Sequence, residues 1–353
     1  MSEFQPEWLP IAVGSVPLAD PQKAWELVLE FFPEMPAWPQ LPRRTYLENM
    51  YVQYSERFPG VVLEEERIYV DRNRDLDPEL EALYVAYLEN DVEYGLTSSK
   101  YAAALSLLCE GKVIFPQSPV AIKGQVTGPV SWGLTVVDQD RRPILYDDIL
   151  ADALAKHLRL KASWQEQELS KISPQTIIFV DEPYMASYGS AFVSLDHDQV
   201  IGLLEEVFAG ISGLKGIHCC GNTDWSLLLS TSMDILNLDA YEYADALLLY
   251  PEALGDFLER GGMVAWGIAP AGPQAESETV GSLVQRLESI LDRFAAKGIP
   301  REKLVQAGLV SPSCGVGSLA PELAEKVFSL AAGVSSEMRR RYVPTAETEE
   351  EEA

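Results

Sequence analysis

Short runs of β-branched and aliphatic residues alternate with longer amphipathic stretches along the chain, the pattern that repeated βα units around a parallel sheet produce. Eight runs predict strands: 11–15 (IAVGS), 61–64 (VVLE), 120–123 (VAIK), 176–180 (TIIFV), 215–218 (KGIH), 234–238 (DILNL), 263–267 (MVAWG) and 304–309 (LVQAGL). Eight strands with helices between them predict an α/β fold of the closed (β/α)8 type, a TIM barrel. Helix starts are marked as well. Asp20-Pro21 precedes KAWELVLEFF, whose Trp25, Val28, Phe31 and Phe32 share one face, and Asp77-Pro78 precedes ELEALYVAYL. With no fixed-period repeat, Gly/Ser linker or shift in composition, residues 1–343 read as one catalytic domain carrying a helix-rich insertion near 71–108. Residues 344–353, which include TAETEEEEA, read as an acidic disordered tail.

Charge narrows the range of partners. Against 27 basic residues stand 54 acidic ones, a net charge of −27, which argues against nucleic acid and anionic membrane and for a small or neutral partner. The N-terminal stretch lacks a basic and apolar leader, and no apolar run approaches the roughly 18 residues of a membrane span, so a cytoplasmic protein is expected. Four cysteines, two of them adjacent at Cys219 and Cys220, make a poor disulfide framework and suggest reduced thiols with a chemical role.

The fifth predicted strand runs through KGIH into Cys219, Cys220 and a Gly-Asn turn. Alternate residues of a strand share a face, so His218 and Cys220 point one way and Cys219 the other. Cys314 follows the eighth predicted strand in SPSCGVGS, and strand ends at one rim of a barrel converge. One imidazole and two thiolates form a borderline-soft donor set that suits zinc. Single cysteines after strands are more often small core residues, but an H-x-C pair with a distant cysteine at two strand ends is harder to dismiss. For a fourth ligand two carboxylates compete: Asp239, directly after DILNL and slightly favoured, and Glu242 in YEY.

Acidic candidates for the chemistry itself are Asp181 and Glu182, which follow TIIFV; Asp181 also suits a substrate ammonium group, although D-E-P is equally a common helix entry. Gly14 and Ser15 end the first predicted strand, where backbone N–H groups are placed to bind a substrate carboxylate. KGQVTGPVS, at 123–131, forms a shaped loop after the third strand. Trp38, Trp132, Tyr184 and Tyr188 are more readily packing residues than cofactor platforms, and His157 and His197 read as structural.

Taken together, VGS, KGQVTGPV, VDEP, HCCGN and SPSCG resemble, in order and spacing, the catalytic barrel of cobalamin-independent methionine synthase, in a superfamily with uroporphyrinogen decarboxylase and methylcobalamin:thiol methyltransferases. The resemblance implies that His218, Cys220 and Cys314 bind Zn²⁺, that Gly14-Ser15 forms a homocysteine-binding turn, and that Asp181 binds the amino group. Glu242 keeps the family's spacing for the fourth ligand, whereas alignment of the strand places Asp239 there. The family's acidic H-G-E segment has no obvious counterpart, PAWPQLPRR standing in its place. HCCGN is equally similar to the corrinoid-linked enzymes. The chain therefore resembles a single-barrel core form, which implies methylation of homocysteine to methionine with methylcobalamin or a corrinoid protein as donor in place of polyglutamyl folate. Two other readings stay open: methyl transfer to another small thiol of the coenzyme M kind, and a non-catalytic zinc barrel that binds a corrinoid or thiol.

Overall fold

The computed structural model describes residues 4–190 and 193–344, so the acidic run from 345 onward lies outside the described residues. Among the described residues nine strands form: β1 (Val61–Glu64), β2 (Arg67–Val70), β3 (Ile122–Thr127), β4 (Val137–Asp138), β5 (Thr176–Asp181), β6 (Leu214–Cys219), β7 (Ile235–Leu238), β8 (Met263–Ala269) and β9 (Gly308–Pro312). Six of them build one parallel sheet in the order β3-β5-β6-β7-β8-β9, with helices on the connections. Apart from Lys215 every residue of these six strands is buried, as expected of strands covered on both faces.

Two irregular segments continue this sheet at its edges. Val310 of β9 is bridged in parallel to Pro10, through Ile11 N–H to Val310 O at 2.8 Å and Val310 N–H to Leu9 O at 3.1 Å. Lys123 of β3 is bridged to Ala37, and Ser15 to Gln40, so the two segments also join each other. Prolines at 10, 33, 36, 39 and 42 deny these stretches the N–H groups of a continuous ladder, which leaves single bridges where regular strands would otherwise run.

Side chains divide by strand parity. Ile177, Phe179, Leu214, Ile235, Ala265 and Leu309 pack with Leu9, Ile11 and Met35 in an inner cluster, while Ile178, Val180, Ile217, Cys219 and Leu236 face the helices in the larger one. The interior is apolar toward the strand starts. At the strand ends it turns polar, with Thr127, Asp181, His218, Asn237 and Ser311 all buried. Gly216 belongs to this arrangement, since a Cβ there would lie 1.9 Å from the Phe179 ring.

The run 11–15 forms no regular strand, only the irregular segment with isolated bridges at Pro10 and Ser15, and two further expectations need correction. The run 61–64 is not part of the parallel sheet: it turns back at Glu65, whose φ is 43°, pairs antiparallel with β2, and with β4 makes a separate three-stranded sheet. Its place beside β3 is taken by the proline-rich 36–40 segment. The run 304–309 is split, its first half ending a helix (Arg301–Gln306) and its strand shifted to Gly308–Pro312. Helix Pro21–Phe31 starts as expected, with Asp20 Oδ1 accepting from the Gln22 and Lys23 amides and Trp25 and Val28 buried. The region 71–108 holds helix Asp77–Glu89, the turn Val92–Gly95 and the start of helix Ala103–Cys109.

Candidate metal centre and binding pocket

His218 sits near the end of the apolar alternation in β6, 3% exposed, and Cys220 follows one residue beyond the strand. Cys219 faces outward into the helix-side core, as the alternation requires. Cys314 arrives from the loop after β9, and one donor atom from each of His218, Cys220 and Cys314 lies within 4.8 Å of the others. That loop is pressed against the N-terminal segment. Val316 N–H donates to Ser15 O at 3.0 Å and Gly317 N–H to Ser15 Oγ at 3.3 Å. A Cβ at Gly315 would come within 2.2 Å of Ser15 Oγ, so glycine is required for this close approach. Ser15 thus buttresses the Cys314 loop besides lining the pocket; Gly14, at φ 150°, accepts from Gln40 N–H, and a side chain there would strike Gln40 and Gln125.

The thiols share their charge unequally. A hydrogen bond from Cys314 and the neighbouring His218 outweigh burial and hold the Cys220 thiol down at about 4, while the bond it donates to Cys220, together with burial, pushes Cys314 up. Burial pulls the His218 imidazole down, but Cys220 and Asp181 beside it outweigh this and leave it above its ordinary value. His218 Nδ1 is 2.7 Å from Asn237 Oδ1, and Nε2 is buried without a hydrogen-bond partner. An orphaned ring nitrogen beside two sulfurs is a donor set that fits zinc.

These groups form one wall of a cavity of about 280 Å³, whose other lining includes Val13, Ser15, Gln40, Glu48, Met50 and Asp181. Asp181 ends β5 opposite His218 in the strand register and is 6% exposed. Burial lifts its carboxyl to about 6 against the pull of Lys123 and His218, and its Oδ1 has no partner. Glu48, at the end of a short 3₁₀ turn, is 1% exposed. Its Oε1 meets Arg44 at 2.7 Å, its Oε2 has no partner, and burial raises its carboxyl despite Arg44. Two residues that each hold an unpartnered carboxylate oxygen therefore line one pocket. Lys123, fully buried below, donates to Val13 O at 2.6 Å and Gln125 Oε1 at 3.0 Å over the Phe179 ring; burial lowers it to about 8.

The other expected residues lie elsewhere. Glu182 is buried but faces away: Oε1 accepts from Val130 N–H at 2.9 Å, and Oε2 from Ser131 N–H at 2.7 Å and Ser131 Oγ at 2.5 Å, at the start of helix Pro129–Thr135. Neither Asp239 nor Glu242 joins the three donors. Asp239 is half-buried and caps helix Ala240–Leu247 through a 2.9 Å bond from Glu242 N–H; burial, Glu242 and Cys220 raise it to about 6. Glu242 is exposed and lines a separate surface hollow with Arg286 and Arg293. Trp38 and Trp132 are buried packing residues whose indoles donate to Gln165 Oε1 and Tyr51 O. His157 is buried against Tyr54 O, and His197 is exposed. Glu48 and Asn237 are the residues a reading of sequence passes over: Glu48 follows no strand, and Asn237 is an ordinary polar residue within DILNL.

No family model matches the sequence, and no curated protein matches it. The structure is similar to that of a B12-independent methionine synthase from Shewanella sp. W3-18-1, solved in complex with selenomethionine, with a TM-score of 0.58 and 16% identity over 95% of this chain and 98% of that one. It is also similar to a putative vitamin-B12 independent methionine synthase from Listeria monocytogenes, with a TM-score of 0.53 and 11% identity over 92% of this chain and 87% of that one. At these identities the likeness is one of fold.

Proposed function

We propose that this chain is a zinc-dependent methyltransferase that moves a methyl group onto the thiol of homocysteine. The observation that carries the reading is the pairing, in one cavity, of the His218, Cys220 and Cys314 donors with the orphaned oxygens of Asp181 and Glu48. A molecule bearing a terminal thiol and a primary ammonium answers both walls. The fold reading that accompanies it is a (β/α)8 ring in which segments 9–16 and 36–40 take the first two strand places, with the whole described chain as one catalytic domain.

His218, Cys220 and Cys314 would hold the zinc ion, which when bound would supply Lewis acidity to an incoming thiol. Asp181 and Glu48 accept hydrogen bonds from the substrate ammonium, which fixes the sulfur end toward the donors, and the Ser15 amide is assigned to the substrate carboxylate. Lys123 offsets part of the negative charge gathered around the pocket. The sulfur of the deprotonated thiol forms a new S–CH₃ bond as the bond between methyl and its donor breaks. The Asp239 and Glu242 carboxylates are left outside this scheme, as is Glu182.

The test is methionine formation by the zinc-loaded protein from homocysteine with methylcobalamin and with methyltetrahydrofolate in parallel, which also assigns the donor class. Zinc content is measured alongside. About one ion per chain, lost in a Cys220→Ser Cys314→Ser double variant, is expected; retention of zinc in that variant sinks the assignment, and so does failure of both donors with a fully loaded protein.

A further inference from the structure

We infer that Asn237 is a positioning residue for the metal centre: its side-chain amide selects the His218 tautomer that carries hydrogen on Nδ1, and it ties the His218 strand to the strand leading into Cys314. The inference rests on the metal-ligand reading of His218 and concerns how that ligand is prepared.

The two ends of an amide look alike, and their chemistry decides which is which. One end of the Asn237 side chain lies 2.8 Å from the Ala265 carbonyl oxygen, which only accepts. That end must be Nδ2. The other end is then Oδ1, also an acceptor only, and it lies 2.7 Å from His218 Nδ1. The hydrogen between them must belong to the imidazole. In the neutral ring this leaves the lone pair on Nε2, the buried atom without a hydrogen-bond partner that belongs with Cys220 and Cys314.

The amide cannot turn over. Its second hydrogen goes to Ser311 Oγ at 2.7 Å, and that hydroxyl donates onward to Pro312 O at 2.9 Å, so the Ser311 oxygen is oriented to accept. A flipped Asn237 would set its oxygen against the Ala265 oxygen and a donor against His218. All members are buried, Asn237 at 1% exposure and Ser311 at 0%, so water does not replace a lost bond cheaply. Asn237 lies on β7 beside His218 of β6, Ala265 is on β8, and Ser311 on β9 stands three residues before Cys314. One amide therefore links four neighbouring strands, of which β6 and β9 lead into the ligands.

Outer partners of this kind are commonly worth about 10–100-fold in metal affinity. The tautomer is read directly by long-range ¹H–¹⁵N correlation on the ¹⁵N-histidine-labelled, metal-free protein at alkaline pH, where imidazoles are neutral. Only three histidines need assignment. Hydrogen on Nδ1 of His218 is expected; hydrogen on Nε2 overturns the inference, whatever the variants do. Zinc affinity is then measured by competition with a chromophoric chelator. Asn237→Leu is expected to bind zinc about 10–100-fold more weakly than the unaltered protein, and Ser311→Ala, which keeps the acceptor for His218, to lose less. Affinity in Asn237→Leu within twofold of the unaltered protein also overturns the inference. Failure of the unaltered protein to bind zinc would instead sink the functional reading, and the tautomer would still be decided by the spectrum.

Discussion

Replacing Asp181 by asparagine should make the metal-free protein more stable and, on the proposed function, slow methyl transfer to homocysteine. Burial lifts this carboxyl from 3.8 to about 6, a rise that corresponds to roughly 3 kcal/mol at about 1.4 kcal/mol per pH unit. The sign follows from proton linkage. A carboxyl whose pKa is raised on folding holds its proton more tightly in the folded chain than in the unfolded one. Its ionisation therefore penalises the folded state in full above about pH 6, and the penalty fades as pH falls toward about 4. An amide in its place cannot ionise, so Asp181→Asn should gain up to about 3 kcal/mol over the unaltered protein at about pH 8 and nothing below about pH 4. Lys123 reduces the gain, because it loses the opposite charge that favours its own protonation. The measurement is urea unfolding of the metal-free protein across this pH range. On the proposed function, the same change in the zinc-loaded protein would remove a charged acceptor for the substrate ammonium, at a cost of about 1.5–3 kcal/mol, or roughly 10–150-fold in kcat/KM for homocysteine. Methylation of a simple alkanethiol, which has no ammonium, should be spared. If Asp181→Asn is destabilised at alkaline pH, or slows both thiols equally, Asp181 is a structural partner of Lys123 and not a ligand site.

Three shorter predictions concern the surrounding frame. Gly216→Ala places a Cβ 1.9 Å from the Phe179 ring and should cost about 1–3 kcal/mol, read as a lowered midpoint of thermal unfolding. In the metal-free protein at neutral pH, iodoacetamide should modify Cys220, held near 4, well before Cys109 and Cys219, both pushed up to about 12; peptide mass spectrometry reports the order, and zinc should suppress it. Glu182→Ala strips three hydrogen bonds from the buried start of helix Pro129–Thr135, and a loss of several kcal/mol in unfolding with zinc stoichiometry unchanged is expected; an unchanged stability would refute its anchoring role.

The alternation of apolar runs with amphipathic stretches is enough to place β5, β6, β7 and β8 within two residues, because strands buried on both faces are continuous apolar text. The same period places Cys219 outside and His218 with Cys220 inside. It fails where the hydrogen-bond ladder is irregular. Segment 36–40 is rich in proline and reads as a loop, while VVLE reads as a strand and is one, in a different sheet. That misplacement also hides Glu48, whose relevance appears only when the proline-rich segment is seen beside β3 and carries the following turn to the pocket. Asp239 and Glu242 look like ligands by position along the chain, yet a carboxylate one residue past a strand is equally the natural cap of the next helix, and Asp239 is used that way. Glu182 shows the same competition. Its neighbour Asp181, of opposite parity, is the one that enters the cavity.

The pocket opens where the wall of the fold is least continuous. Six strands are laced by ladders, but the N-terminal segments that lead to Ser15, Gln40 and Glu48 form no regular strand and join the sheet edges through a few backbone hydrogen bonds around Val310 and Lys123. Such a seam separates locally at lower free energy than the sheet it joins, so its amides should exchange with solvent ahead of those in β5 to β8. A ligand spanning from Cys220 on the laced side to Glu48 on the other would act as a clasp across that seam, slowing its opening by mass action. Substrate capture and tightening of the loosest part of the molecule would then be one event.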